Sequence, residues 1–137
     1  MKSWRMKSWM ALIVGLLFAG LTATTASAQT AAQAGDVAKG ERVFALQCKA
    51  CHTLERGGSS VTGPNLYGLM ARKSGTAPGY GFSEAMRRFA IEWNDQTLAN
   101  YLRDPKGDMP GTKMVFAGIK RSDQLADVVA YLKEATR

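Results

Sequence analysis

The pentapeptide Cys48-Lys49-Ala50-Cys51-His52 constrains this chain more than any other feature. One helical turn separates its two thiols, so each can bond covalently to a vinyl group on one edge of a porphyrin. His52 then presents its imidazole to a central iron from one face, which is the spacing of c-type haem attachment. Two rivals are weaker. A redox dithiol of the thioredoxin kind needs a strand–helix context that this sequence lacks, and it leaves the following histidine unexplained. A plain disulfide leaves that histidine idle too. Composition narrows the choice further: two Cys and one His in 137 residues make three soft ligands, where a structural zinc site wants four. Two Cys also cannot build the disulfide framework of a small secreted scaffold.

The N-terminus reads as an address. Lys2, Arg5 and Lys7 precede an apolar run from Met10 to Leu21, and Ala26-Ser27-Ala28 offers small residues to a peptidase. This three-part pattern predicts a signal peptide over residues 1–28, cleaved after Ala28. The apolar run is shorter than the roughly 20 residues that span a bilayer, so no stable membrane insertion is expected after cleavage. The destination so read is the bacterial periplasm, an oxidising compartment. Residues 29–34 have no apolar periodicity and are expected to form a flexible tail.

Residues 35–137 read as one domain, since neither repeat nor linker interrupts them. Asp36 caps an expected helix in which Val37, Val43 and Phe44 share a face, with Gly40 suggesting the close approach of another helix. Ser122 is expected to cap a last helix carrying Leu125, Val128, Val129 and Leu132. Asn94 starts a helix with Leu98, Tyr101 and Leu102 on one face, stopped at Asp104-Pro105 because the residue before proline avoids helical ψ. Ser83 starts a shorter helix holding Met86. Turn-rich segments fill the rest, and no sustained alternation predicts a sheet. The fold class is all-α: three to five short helices with long loops, the first and last helices crossing. Such a core is thin, and a large apolar group should fill its middle.

His52 is the only His, so a second axial ligand must be of another type, and Met is the usual alternative. Met70, Met86, Met109 and Met114 are available. Met109 and Met114 flank the turn at Pro110-Gly111, and spacing alone does not choose between them.

From Gly35 to Lys133 the sequence resembles class I cytochrome c, the family of mitochondrial cytochrome c and its bacterial periplasmic relatives. The resemblance is carried by Gly35-Asp36-Val37-Ala38-Lys39-Gly40, Cys48 to His52, Thr62-Gly63-Pro64-Asn65-Leu66, Gly68-Leu69 and Ala77-Pro78-Gly79. Pro110-Gly111-Thr112-Lys113-Met114 and Phe116-Ala117-Gly118-Ile119 complete it. It implies the cytochrome c fold around one haem c per chain, bound covalently by Cys48 and Cys51 and ligated by His52 and Met114. It further implies that the Pro64 carbonyl orients His52, that Arg72 and Trp93 hold a buried propionate, and that Tyr101 and Thr112 place hydroxyls near the haem. Gly40, Phe44, Val128 and Tyr131 match the contact between the first and last helices. Phe82 stands where the family usually has Tyr, Met86 where it has Asn, Gln47 where it has Lys, and Gly107 where it has a docking lysine.

An iron with two protein ligands keeps no open position, which suits one-electron transfer and opposes turnover of a substrate. The resemblance therefore implies a soluble periplasmic monohaem carrier, not an enzyme, and a monomer. It would run between a quinol-cytochrome c reductase (bc-type complex) and a cytochrome c oxidase, a reaction centre or another reductase. Arg42, Lys49, Lys106, Lys113, Lys120 and Arg121 are the expected docking cations, able to steer acidic partner faces. The net charge of +7 would also suit nucleic acid, but an exported protein does not meet it.

Overall fold

The computed structural model describes residues 34–137; the signal peptide expected over 1–28 and all but the last residue of the tail expected over 29–34 lie outside them. Five α-helices follow in order: α1 Val37–Gln47, α2 Glu84–Phe89, α3 Asp95–Arg103, α4 Pro105–Asp108 and α5 Ser122–Ala135. One 3₁₀ turn, Leu69–Ala71, precedes α2. Among the described residues strand pairing is limited to one isolated antiparallel bridge between Lys73 and Glu92. The all-α expectation holds.

α1 starts where Asp36 accepts from the Lys39 backbone N–H at 3.1 Å, filling one of the orphan donors of a first turn. Its inner face is Gly40, Val43 and Phe44, whereas Val37, expected on that face, is 37% exposed. α5 buries Leu125, Val128, Val129 and Leu132. The two helices cross at Gly40, where any Cβ would land on the Asp127 carbonyl oxygen of α5. The Asp36 N–H donates to Asp127 Oδ1 at 2.7 Å, and Phe44 and Tyr131 pack with ring centroids 5.6 Å apart.

α3 carries a complete capping box: Asn94 accepts from the N–H groups of Gln96 and Thr97, and Thr97 Oγ1 accepts from the Asn94 N–H at 2.9 Å. Its buried residues, Leu98, Tyr101 and Leu102, are those the spacing selected. Asn94→Ala is expected to cost about 1–2 kcal/mol in urea unfolding, because two backbone donors lose their acceptor.

Two helix ends differ from expectation. Ser122 does not cap α5: it is the first helical residue, Arg121 holds the cap position without a side-chain bond, and Asp123 supplies negative charge to the first turn. Pro105 does end α3, but it also opens α4. Its fixed φ suits a first helical position, and Asp104 accepts from the Gly107 N–H at 3.2 Å.

Candidate haem-binding site

The helices do not close over their own centre. A cavity of about 220 Å³ remains, lined largely by apolar atoms. That exceeds the roughly 150 Å³ that admits benzene in a dry engineered cavity. Protein interiors tolerate few such voids, so this space is a binding site. Its walls come from Phe44 and Cys48 at the end of α1, Cys51, His52, Thr62 to Pro64 and Leu66, the loop before α2, Leu98, Tyr101 and Leu102 of α3, the Thr112–Phe116 loop and Leu132 of α5.

Cys48, Cys51 and His52 share this wall because α1 ends there: the N–H groups of Cys48 and Lys49 both bond the Phe44 carbonyl, and the next turn returns Cys51 and His52 to the Cys48 carbonyl. Burial, reinforced by the neighbouring Cys51, pushes the Cys48 thiol up to about 11. Both cysteines are free thiols. His52 Nδ1 lies 2.8 Å from the Pro64 carbonyl. A carbonyl only accepts, so Nδ1 carries the proton and Nε2 keeps its lone pair. Burial holds the imidazole below its ordinary pKa, with the Pro64 bond working the other way. A neutral imidazole with a free Nε2 is what an iron ligand requires.

Met114 lines the same cavity. Its N–H donates to Thr112 Oγ1 at 3.3 Å, and Thr112 Oγ1 lies 2.8 Å from the Tyr101 hydroxyl, which ties the Met114 loop to α3. Met109 lies in the core with 0% exposure and does not line the cavity. Trp93 and Tyr101 pack with centroids 5.4 Å apart, both on the cavity wall. Arg72 reaches the same wall, its Nη2 donating to the Asn65 carbonyl at 3.1 Å, and burial lowers its pKa. The residues fit a haem: an apolar slot lined by two thiols, an imidazole and a thioether, with a guanidinium for a carboxylate.

Three residues had no assigned role in the sequence. A Cβ at Gly63 would strike the His52 ring, so only glycine lets the imidazole stand where it does. Asn65 Nδ2 donates to Thr53 Oγ1 at 2.8 Å and the Glu55 carbonyl at 3.0 Å, holding the segment after His52 closed. Tyr80 donates to the Thr62 carbonyl at 2.9 Å and packs edge-on against Phe82. The signal for Gly63 and Asn65 lay in the Thr62–Leu66 segment; for Tyr80 there was none.

Phe82 and Met86 both line the cavity, so the two departures noted in the sequence face the bound group. Phe82→Tyr adds a hydroxyl there and is expected to shift the midpoint potential in a redox titration; an unchanged potential removes the idea.

The six expected docking cations fall into two sets. Arg42, Lys49 and Lys106 are exposed and enter none of the ion pairs found among the described residues. Lys113 and Lys120 donate to the Gly81 and Arg103 carbonyls, each at 2.8 Å, and Arg121 pairs with Asp123.

An all-helical shell around one apolar slot, with Cys-x-x-Cys-His on its wall, defines the class: a c-type haem protein. The profile of the cytochrome c family matches residues 37–136. Cytochrome c of Chlamydomonas reinhardtii is 51% identical over 105 residues, covering 77% of this chain and 94% of the relative. That of Sesamum indicum is 50% identical over 102 residues, covering 74% and 92%, and that of Gibberella zeae 46% over 103, covering 75% and 97%. The chain belongs to the cytochrome c family, which binds one covalent haem c and carries electrons between redox complexes without being an enzyme.

The comparisons correct one expectation. The basic, apolar and small-residue pattern of residues 1–28 pointed to the bacterial periplasm, but these relatives are eukaryotic cytochromes c, of the mitochondrial intermembrane space. That expectation rested on residues 1–28 alone, whereas the family match covers residues 37–136.

Proposed function

We propose that this cytochrome c takes one electron at a time from a quinol-oxidising, bc-type complex and delivers it to a terminal oxidase, a reaction centre or another reductase, as a free monomer. Cys48 and Cys51 would hold the haem covalently, and His52 and Met114 would ligate its iron. The observation that carries this reading is the convergence of both thiols, the neutral His52 ring and the Met114 side chain on one apolar cavity. The bound haem supplies the one-electron chemistry. The chain's own residues keep that chemistry narrow. Pro64 and Gly63 hold His52 in one tautomer and one orientation. Thr112 and Tyr101 hold the Met114 loop, and the surrounding apolar wall excludes water, so neither ligand is readily exchanged. Arg72 and Trp93 partner a buried propionate. Residues 1–28 are a leader removed after Ala28, as the basic start, apolar run and small-residue site support.

The intact mass of the purified protein under denaturing conditions tests the reading. The expected mass is that of residues 29–137 plus one haem. Protein without haem, from cells able to attach it, would return Cys48 and Cys51 to thiol chemistry. A haem-bearing chain cut elsewhere would refute only the leader.

A further inference from the structure

Arg72, Lys73, Gly75, Met86 and Trp93 all line the haem cavity, and Ser74, in their midst, does not. Ser74 is buried, 3% exposed, and its hydroxyl is used in both directions. Oγ donates to the Met86 carbonyl at 2.8 Å and accepts from the Ile91 N–H at 3.0 Å. The Ser74 N–H in turn donates to the Ile91 carbonyl at 2.8 Å. One residue thereby fastens α2 and the chain that leaves it: it partners a carbonyl near the end of a short helix, and both backbone groups of Ile91, two residues before Trp93. The neighbouring links are weaker. The Trp93 N–H lies 3.5 Å from the Arg72 carbonyl, long for a hydrogen bond. The Lys73–Glu92 ion pair, at 3.4 Å, joins two exposed side chains and is worth little in water. Gly75 lets the segments stay close, because a Cβ there would meet the Arg87 backbone. The spacing of Arg72 from Trp93 therefore rests on Ser74.

Resting on the reading that Arg72 and Trp93 partner a buried propionate, we propose that Ser74 is a positioning residue for the redox centre. Its hydroxyl and N–H set the distance between the two partners, and so how fully they compensate the carboxylate's charge. The same hydroxyl, with Ser83 Oγ accepting from the Met86 N–H at 3.1 Å, holds both backbone groups of Met86, which presents its side chain to the cavity. Without the Ser74 hydroxyl, the Met86 carbonyl and the Ile91 N–H lose a partner, and the α2 segment is free to part from residue 74. A carboxylate less well compensated favours the more positively charged, oxidised iron, so the midpoint potential falls.

Mediated redox titration of the haem-loaded parent and of Ser74→Ala, Ser74→Thr and Arg72→Leu tests this, with tryptophan emission read on the same samples. Trp93 is the only tryptophan after residue 28, and a haem packed near an indole drains its emission. Ser74→Ala, in protein that urea unfolding shows to be folded, is expected to lower the midpoint potential and raise the Trp93 emission. Ser74→Thr keeps the hydroxyl and is expected to match the parent in both. Arg72→Leu removes the charge itself and lowers the potential further. A Ser74→Ala protein that loses stability but keeps the parental potential and emission overturns the proposal and leaves Ser74 a structural residue only. So does a Ser74→Thr protein shifted as far as Ser74→Ala, because the hydroxyl would then not be the group that acts. Arg72→Leu at the parental potential strikes the propionate reading itself, and the proposal with it, in a protein whose Ser74 is intact. Where Ser74→Ala takes up no haem, Ser74→Cys replaces it. A thiol is a weak donor and a weak acceptor, so a smaller fall in the same direction is expected, and parental values overturn the proposal as before.

Discussion

Replacing Met114 with alanine lowers the midpoint potential by roughly 0.1–0.3 V, a fraction of the about 0.8 V over which axial ligands tune haem iron. On the proposed ligation, loss of the thioether would remove a soft ligand that favours the reduced metal and would open one iron position. The variant should therefore bind cyanide and carbon monoxide, which the parent resists. Tolerance of the fold is expected, because Met114 sits on an irregular loop at the cavity wall and not in a helix. Met109→Leu is the contrasting variant. It fills a fully buried position in the helical core and should leave the potential unchanged, at a stability cost under about 1.5 kcal/mol. A Met114→Ala protein with parental potential and no ligand binding would transfer the sixth position to another residue.

Gly40→Val is expected to destabilise the domain by about 3–5 kcal/mol in urea unfolding, a range reached by few single substitutions. The obstacle is backbone. A Cβ at this position meets the Asp127 carbonyl, which is already part of α5, and behind it the Tyr131 Cβ. Neither can swing aside as a side-chain end would. Separating α1 from α5 would also part Phe44 from Tyr131 and lift the Asp36 N–H off Asp127. Gly81→Ala provides the comparison: no heavy atom stands within 4 Å of its added Cβ, so the change should stay within about 0.5 kcal/mol. A Gly40→Val protein within about 1 kcal/mol of the parent would mean that the helix crossing is more pliable than its geometry states.

Local signals were legible where the physics is local. Asp36, Ser83 and Asn94 cap the helices that begin after them, because a side-chain oxygen two or three residues from an orphan N–H needs no distant partner. Leu98, Tyr101 and Leu102, and the four apolar residues of α5, followed from a 3.6-residue period. Ser122 misled, since a serine at a helix start can serve as cap or as first residue, and the chain's entry angle decides. α4 was missed because Pro105 reads equally well as a stop and as a start. Val37 has the right period but remains 37% exposed in the first turn of α1.

By itself, the sequence determined the chemistry. Two thiols one turn apart, followed by the only histidine, specify covalent haem and one axial ligand before any fold is known, because the spacing matches the cofactor's own edge. It also determined the helical class and most of the caps. The tertiary structure decided everything that depends on residues far apart meeting. Met114 rather than Met109 reaches the cavity, since Met109 before the Pro110-Gly111 turn is wholly buried in the core and Met114 after it lines the slot. Gly63 clears the His52 ring, Asn65 closes the loop beside it, and three of the six expected docking cations are tied at the surface to carbonyls or to Asp123. Such choices rest on long-range packing and on which donors find acceptors across the cavity, quantities that no local pattern encodes.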